Sequence, residues 1–405
     1  MGLMIIERDI IQKALQYIDT DEILIFTGSR QAGKTTVLKM IEAEAKKKEA
    51  TTYFLNLEDP EYLGLLNDSP KSIFKIFTID GKKRCFLFVD EVQYLRNPTN
   101  FLKYIYDEYK GIIKLVVSGS SAFYLDEKFK DSLAGRKRIF HVRTLSFREF
   151  LRFKGEKDLF AADFKNVGLK DRENILTYYR EFMIYGGYPR VVLAPLEEKE
   201  KLLQELAYSY VKKDIYEAGV RQDEVFYKLF KILASQVGNL VNSSELASTL
   251  GVSKTAIDRY IFVMRRSFHV EMIRPFYRSA RKELTKMPKV YFWDLGLRNF
   301  FVGDFKSFDG RSDRGALLEN AVFRALCEKY EEDSIKFWRT TQKHEVDFVA
   351  AGKDAFEVKT ASGKLNKRSI ELFREHYPYI PVSLITFDTE DERNEKYPAV
   401  EAWQM

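Results

Sequence analysis

Gly28-Ser-Arg-Gln-Ala-Gly-Lys-Thr35 follows directly on the apolar run Ile23-Leu-Ile-Phe26 and opens a helical pattern that continues through Lys46. A strand, a glycine-bounded loop closing on Gly-Lys-Thr and a helix form the local order of a phosphate loop. The glycines let successive backbone N–H groups point at phosphate oxygens, Lys34 can reach the β and γ phosphates, and the Thr35 hydroxyl can ligate Mg2+. Gly28, Ser29, Arg30, Gln31, Ala32, Gly33, Lys34, Thr35 and Thr36 are thus assigned to binding a nucleotide triphosphate, with ATP and Mg2+ as the expected cofactors. The helix beginning near Lys34 adds its positive amino end.

Around this loop, from Glu22 to about Phe150, short apolar runs alternate with amphipathic segments: Ile23-Phe26, Thr51-Leu57, Cys85-Val89 and Lys114-Val117 with helices between them. Such alternation predicts an α/β domain with a parallel sheet covered on both faces, and Gly28 falls at the carboxyl end of its first strand, where such sheets bind ligands. The chain of 405 residues is too long for one core. Residues 1–150 are read as the phosphate-loop ATPase domain and 151–222 as a helical lid rich in Phe and Tyr. Residues 223–300 are read as a winged-helix-like domain and 301–405 as a further α/β domain.

Composition narrows the class. With 45% hydrophobic and 31% charged residues the chain is that of a folded soluble protein, and its apolar runs are strand-length, so no membrane span is expected. Glu7, Arg8 and Asp9 follow the opening Met1-Ile6 at once, which argues against a secretory signal. Cys85 and Cys327 are expected to be reduced core residues of a cytoplasmic protein, and His141, His269, His344 and His376 lack the spacing of a histidine metal site. A net charge of +6 permits nucleic-acid binding without requiring it.

Hydrolysis needs acids opposite the loop. Phe86-Leu-Phe-Val-Asp90-Glu91 provides them at a buried strand end: Asp90 to hold Mg2+ through water, Glu91 to orient or deprotonate the attacking water. The next strand ends in Ser118-Gly-Ser-Ser121, which would lie between those acids and the γ-phosphate, although a small-residue turn accounts for it equally. Within Leu133-Ala-Gly-Arg-Lys-Arg138, Arg136 is the first choice for an arginine finger, against the commoner reading of an exposed cationic face. Fingers commonly act in trans, so this choice implies a homo-oligomer.

These stretches, followed by Leu145-Ser-Phe-Arg-Glu-Phe150 and Gly186-Gly-Tyr-Pro189, resemble the AAA+-like ATPases of archaea and bacteria that carry a companion domain of unassigned function at the C-terminus. The resemblance covers nearly the whole chain. It implies a sensor 1 role at Ser118-Ser121 and a lid segment near the nucleotide at Gly187-Tyr188-Pro189, where a helix-ending turn is the plainer alternative.

Val241 to Tyr260 has the rhythm of a helix-turn-helix: Leu246, Ala247 and Leu250 on one helix, a Gly251 turn, Ser253 as the next cap, and Ile257, Tyr260 and Ile261 toward the core. Lys254, Thr255 and Arg259 would then face a groove. From Lys254 to Arg298 there are eleven basic residues against four acidic ones, a surplus of seven. Such a surface suits phosphate contacts better than base readout, with DNA favoured over RNA; packing against another protein is the alternative use.

In the last region Glu345-Val-Asp-Phe-Val349 and Ala355-Phe-Glu-Val-Lys359 read as strands. Alternation puts Glu345 with Asp347 on one face, and Glu357 with Lys359 on one face of the next strand. With Glu319 on an upstream helix, this set resembles the PD-(D/E)XK fold of restriction endonucleases. The resemblance implies that Glu319, Asp347 and Glu357 hold Mg2+ while Lys359 stabilises phosphorane charge, and a salt-bridged sheet edge is the plain alternative.

Two readings follow. One is an ATPase coupled to a DNA-binding and nuclease-like module; the other is a nucleotide-dependent switch that binds a protein partner and cuts nothing. A small-molecule kinase fits less well, because Asp90-Glu91 supplies a hydrolytic base.

Overall fold

The computed structural model of the chain describes residues 6–81, 83–119, 133–164, 167–217, 222–277, 279–360, 366–388 and 399–405. Ser120, Ser121 and Arg278, together with the side chain of Lys282, fall outside the described residues. Two compact units emerge, Met1–Arg143 with Arg266–Phe268 and Thr144–Arg265 with His269–Met405.

In the first unit β1 (Ile23–Thr27), β2 (Thr51–Asn56), β3 (Cys85–Asp90), β4 (Ile113–Gly119) and β5 (Lys137–His141) form one sheet in the order β2-β3-β4-β1-β5. Every neighbouring pair is parallel. The central strands are buried on both faces, as their continuous apolar runs require. Ile23, Ile25, Leu87, Val89, Leu115 and Val117 pack on one side with Phe101, Leu102 and Ile105 of the helix Pro98–Glu108. Leu24, Phe26, Phe86, Phe88 and Val116 pack on the other with Val37, Leu38 and Ile41 of the helix Lys34–Lys47. The expected parallel sheet is therefore present, with one strand more than expected. Lys-Arg-Ile-Phe-His forms β5 at the sheet edge, where partial exposure removes the need for an apolar run.

The second unit begins with helices Phe147–Phe153, Leu169–Tyr185 and Leu196–Glu217. The helices Asp223–Ser235, Ser243–Leu250 and Lys254–Arg266 follow, and then an antiparallel pair of β6 (Val270–Ile273) with β7 (Lys289–Phe292). Gly251 turns the expected helix pair at φ 66°. Asn242 caps the first helix through Ser244 N at 3.1 Å, Ser253 caps the second through Ala256 N at 3.1 Å, and Ile257, Tyr260 and Ile261 are buried as expected. After the helices Leu295–Val302 and Arg314–Lys329 comes a sheet of β8 (Ile335–Arg339), β9 (Glu345–Ala350), β10 (Asp354–Lys359), β11 (Val382–Thr386) and β12 (Ala399–Glu401). Its order is β12-β11-β10-β9-β8, with β8, β9 and β10 antiparallel and β10, β11 and β12 parallel.

The three segments expected after residue 150 thus share one unit, and buried polar anchors explain why. Asn299 Nδ2 donates to the carbonyls of Met183 and Ile184, both at 2.9 Å. Arg324 donates to Thr144 Oγ1 at 2.9 Å and Leu145 O at 3.2 Å, and Asp294 accepts Gly187 N–H at 2.8 Å. A Cβ on Gly186 would stand 2.3 Å from Asp294 Oδ1, and one on Gly187 2.5 Å from Leu145 O. Gly186 ends the helix Leu169–Tyr185, as the plainer reading of Gly-Gly-Tyr-Pro has it, and both glycines serve close packing within the second unit. Among the described residues no helix is long and apolar enough to cross a membrane, and Cys85 and Cys327 are buried free thiols.

Candidate nucleotide site and carboxylate cluster

The loop Gly28–Thr35 leaves the carboxyl end of β1 and runs into the helix Lys34–Lys47, whose first turn carries no acid. Its N-cap, Gly33, sits at φ 96°, so the helix end meets the loop with its N–H groups and positive dipole uncompensated by a side chain. Gly28 is fixed by proximity: a Cβ there would lie 2.0 Å from the Val142 carbonyl oxygen just beyond β5. Lys34 is buried, and its Nζ donates to Gly28 O at 3.0 Å and Ser29 O at 2.9 Å, which keeps the ammonium on the loop.

Because β4 lies between β3 and β1 in the sheet, the ends of all three strands converge. Thr35 Oγ1 donates to Asp90 Oδ2 at 2.6 Å, and Ser118 Oγ donates to Asp90 Oδ1. Glu91 N–H donates to the same Ser118 Oγ at 3.2 Å. Glu91 has φ 57° and ψ 45°, a left-handed conformation that costs about 1–2 kcal/mol for a residue with a Cβ. Its carboxylate accepts from Gln93 Nε2. Asp90 and Thr35, side by side under the loop lysine, fit a triphosphate with its Mg2+.

Arg136 sits elsewhere. Ile23 N–H donates to its carbonyl at 2.8 Å, and β1 pairs with β5 from Ile23 and Lys137 onward, so Arg136 lies at the amino edge of the sheet. At ~3.3 Å per residue, about 13 Å of strand separates that edge from the loop. Its guanidinium pairs with Asp107 at 3.2 Å. The structure does not bring it to the phosphate loop of its own chain.

Sequence reading missed Arg8. This buried guanidinium donates through one nitrogen to Ala32 O at 2.8 Å and through another to Arg143 O at 2.9 Å, tying the loop to the segment after β5. Glu7-Arg8-Asp9 carried a sign of charge but none of proximity. Gln93 was missed as well, although it stands two residues after Glu91, within side-chain reach.

In the second unit Glu319, Asp347, Glu357 and Lys359 do come together. Phe356 pairs with Phe348 across β9 and β10, and Val358 N–H donates to Asp347 Oδ2 at 2.8 Å. Lys359 Nζ stands 2.7 Å from Glu357 Oε1 and 3.7 Å from Asp347 Oδ2. At the centre is a lysine not expected there. Lys289, on β7, is 1% exposed and reaches Glu345 Oε1 at 2.6 Å, Glu319 Oε1 at 3.2 Å and Asp347 Oδ1 at 3.9 Å. Tyr291, two residues on and hence on the same face, donates its hydroxyl to Glu319 Oε1 at 2.5 Å.

Burial, with the Asp347 charge beside it, pushes the Glu357 carboxyl up to about 8. Burial also raises Glu319, to about 7, against the opposing pull of Lys289. For Lys289 itself burial acts downward, but Glu319, Asp347 and Glu345 outweigh it and hold the ammonium above its ordinary range. Among the described residues no three His, Cys, Asp or Glu side chains stand in a metal-holding arrangement. Glu319, Asp347 and Glu357 are gathered, but Glu319 and Asp347 stand on Lys289 and Glu357 on Lys359, and in this arrangement they do not fit a divalent ion.

The same burial corrects the charge count. Lys289 and Arg298, both counted as surface cations, are 1% exposed, and Arg298 is ion-paired with Asp313. Arg265 pairs with Glu271 at 2.5 Å. Lys254, Thr255 and Arg259 are exposed on one helix, with Arg274, Arg281 and Lys286 exposed beyond it.

Three families match successive parts of the chain: an AAA domain over residues 20–151, a domain of unknown function (DUF8612) over 176–307, and another (DUF4143) over 314–403. Residues 20–151 are an AAA+-like P-loop NTPase domain, of a superfamily that binds and hydrolyses ATP. An uncharacterized protein of Haemophilus influenzae is 26% identical over 362 residues, 87% of this chain and 85% of its own. One of Methanocaldococcus jannaschii is 26% identical over 359 residues, 86% of this chain and 76% of its own. Among solved structures, the ADP form of the Aeropyrum pernix ORC2 protein aligns with a TM-score of 0.37 at 12% identity, covering 74% of this chain and 92% of that one.

Proposed function

We propose that the chain is an ATPase in which Lys34 and the loop amides hold the triphosphate, Asp90 and Thr35 hold its Mg2+, and Glu91 activates water. The contact of Thr35 with Asp90 at 2.6 Å carries this reading, because it joins loop and acid on the side where the helix dipole points. Mg2+, when bound, would neutralise charge on the β and γ phosphates. The chain's own residues do the rest: Lys34 exchanges its carbonyl partners for phosphate oxygens, Ser118 fixes Asp90 and the Glu91 amide, and Gln93 holds the base until substrate competes for it. Arg136, at the far sheet edge, serves as a finger only from a neighbouring subunit, which makes this a homo-oligomer in the working state.

Within the same reading, residues 223–300 act as a winged helix that holds nucleic acid, DNA before RNA, through the exposed Lys254, Thr255, Arg259, Arg274 and Arg281. The neighbouring domain is of the PD-(D/E)XK type, supported by an acid on β9 and Glu-x-Lys on the adjacent β10 with Glu319 on a preceding helix. The ammonium groups on its carboxylates favour the second reading, a cytoplasmic nucleotide-dependent switch that binds a protein partner and does not cut. ATP turnover measured with and without duplex DNA and RNA, at two salt concentrations and against Lys34→Ala, tests both. Stimulation by one polymer that fades with salt supports the nucleic-acid reading; turnover indifferent to both polymers leaves the switch.

A further inference from the structure

The carboxylate cluster of the second unit already has a cation, and it is part of the chain. Lys289 Nζ lies within 4 Å of three carboxylates from two elements, Glu319 on a helix and Glu345 and Asp347 on β9. Divalent ions are held by several carboxylate oxygens converging from separate elements, with metal–oxygen distances of about 2.0–2.6 Å. The ammonium takes such a place, at hydrogen-bond distance from Glu345 and Glu319 and 3.9 Å from Asp347. It is not a solvated surface charge that wandered in, because Lys289 is 1% exposed.

Charge counting points the same way. Glu319, Glu345, Asp347 and Glu357 supply four acidic groups, while Lys289, Lys359 and Arg339, the last 2.6 Å from Glu345, supply three cations. Even fully ionised, the set carries only one net negative charge with Lys289 in place, so the chain's own cations already balance most of it. A second observation concerns ligands. Glu357 is 3% exposed, its Oε1 pairs with Lys359, and its Oε2 is buried without a hydrogen-bond partner. A buried acceptor of that kind is expensive unless a donor or a cation engages it.

We infer that Lys289 is the resident cation of this cluster, and that with its ammonium in place Glu319, Asp347 and Glu357 hold no divalent ion. This rests on reading the cluster as a metal-type site of the nuclease-like domain. It adds that the lysine already fills that site.

The test uses the full chain carrying Asp90→Asn, so that the phosphate-loop acid holds no metal, with Mn2+ alone as probe and free Mn2+ counted by electron paramagnetic resonance. With Lys289 present, no equivalent is retained. Lys289→Met and Lys289→Gln each retain one equivalent at least ~10-fold more tightly, and adding Asp347→Asn removes it. Melting followed by circular dichroism covers the case in which these variants fold poorly. Stabilisation or refolding by Mn2+, absent from the Lys289 protein, supports the inference. If the Lys289 protein itself retains one equivalent that Asp347→Asn abolishes, the lysine is no occupant, while the metal-type reading stands. If neither substitution gains binding or stabilisation by Mn2+, Lys289 is an ordinary buried ion-pair partner and both readings fall.

Discussion

Asp90, the last residue of β3, and Asp347, inside β9, are both buried acids, yet they lean on different partners. Asp90 is held by two hydroxyls, Thr35 and Ser118, and its neighbour Glu91 by a side-chain amide. Asp347 stands between two ammonium groups, Lys289 and Lys359. Neutral donors orient a carboxylate and leave its charge for an incoming cation, whereas an ammonium consumes the charge it orients. On the proposed reading the first site is poised for Mg2+ and the second is balanced against it.

Turnover gives the largest test of that contrast. Glu91→Gln is expected to lower ATP hydrolysis by about 10²–10⁴-fold while retaining nucleotide binding, measured by phosphate release and by a fluorescent ATP analogue. Asp347→Asn should leave turnover within about twofold, since the balanced cluster takes no part in that chemistry. An equal loss from both would break the comparison.

Stability comes next. Lys289→Ala leaves buried acids unpaired and should destabilise the second unit by about 3–5 kcal/mol in urea titrations. Ser118→Ala, which removes a neutral partner, should cost about 1 kcal/mol. The pH dependence sharpens the same point. Glu357 keeps its proton to about 8 in the fold, against an ordinary 4.5, so the unfolded chain gives up that proton first as pH rises. Stability of the second unit should therefore fall between about pH 4.5 and 8, with a slope of at most ~1.4 kcal/mol per pH unit from this group. Glu357→Gln should flatten the fall, and an unchanged slope would remove Glu357 as its source. Smallest of all, Lys254→Ala or Arg259→Ala should each reduce the salt slope of duplex binding by about 0.9, read by fluorescence anisotropy across a salt series.

The two sites also differ in how far the sequence reveals them. The phosphate loop is contiguous, and Asp90 and Glu91 follow a buried apolar run, so local pattern suffices. Arg8 escapes that pattern because its contact with Ala32 spans 24 positions. β5 escapes because an edge strand need not be apolar. In the cluster, alternation correctly pairs Glu345 with Asp347 and Glu357 with Lys359. Lys289 was counted instead as surface charge, because a tally of basic residues carries no depth. Its one local sign is the strand-like Lys-Val-Tyr-Phe, which puts Lys289 and Tyr291 on one face.

Lys289 lies within the segment matched over residues 176–307, and Glu319, Asp347 and Glu357 lie within that matched over 314–403. The boundary between the two matched segments therefore runs through a single electrical balance. A fragment starting after residue 307 would carry the acids without their principal cation, and a recombination there would pair them with a stranger's lysine or with none. Cut there, the second segment keeps its acids and loses the charge that balances them.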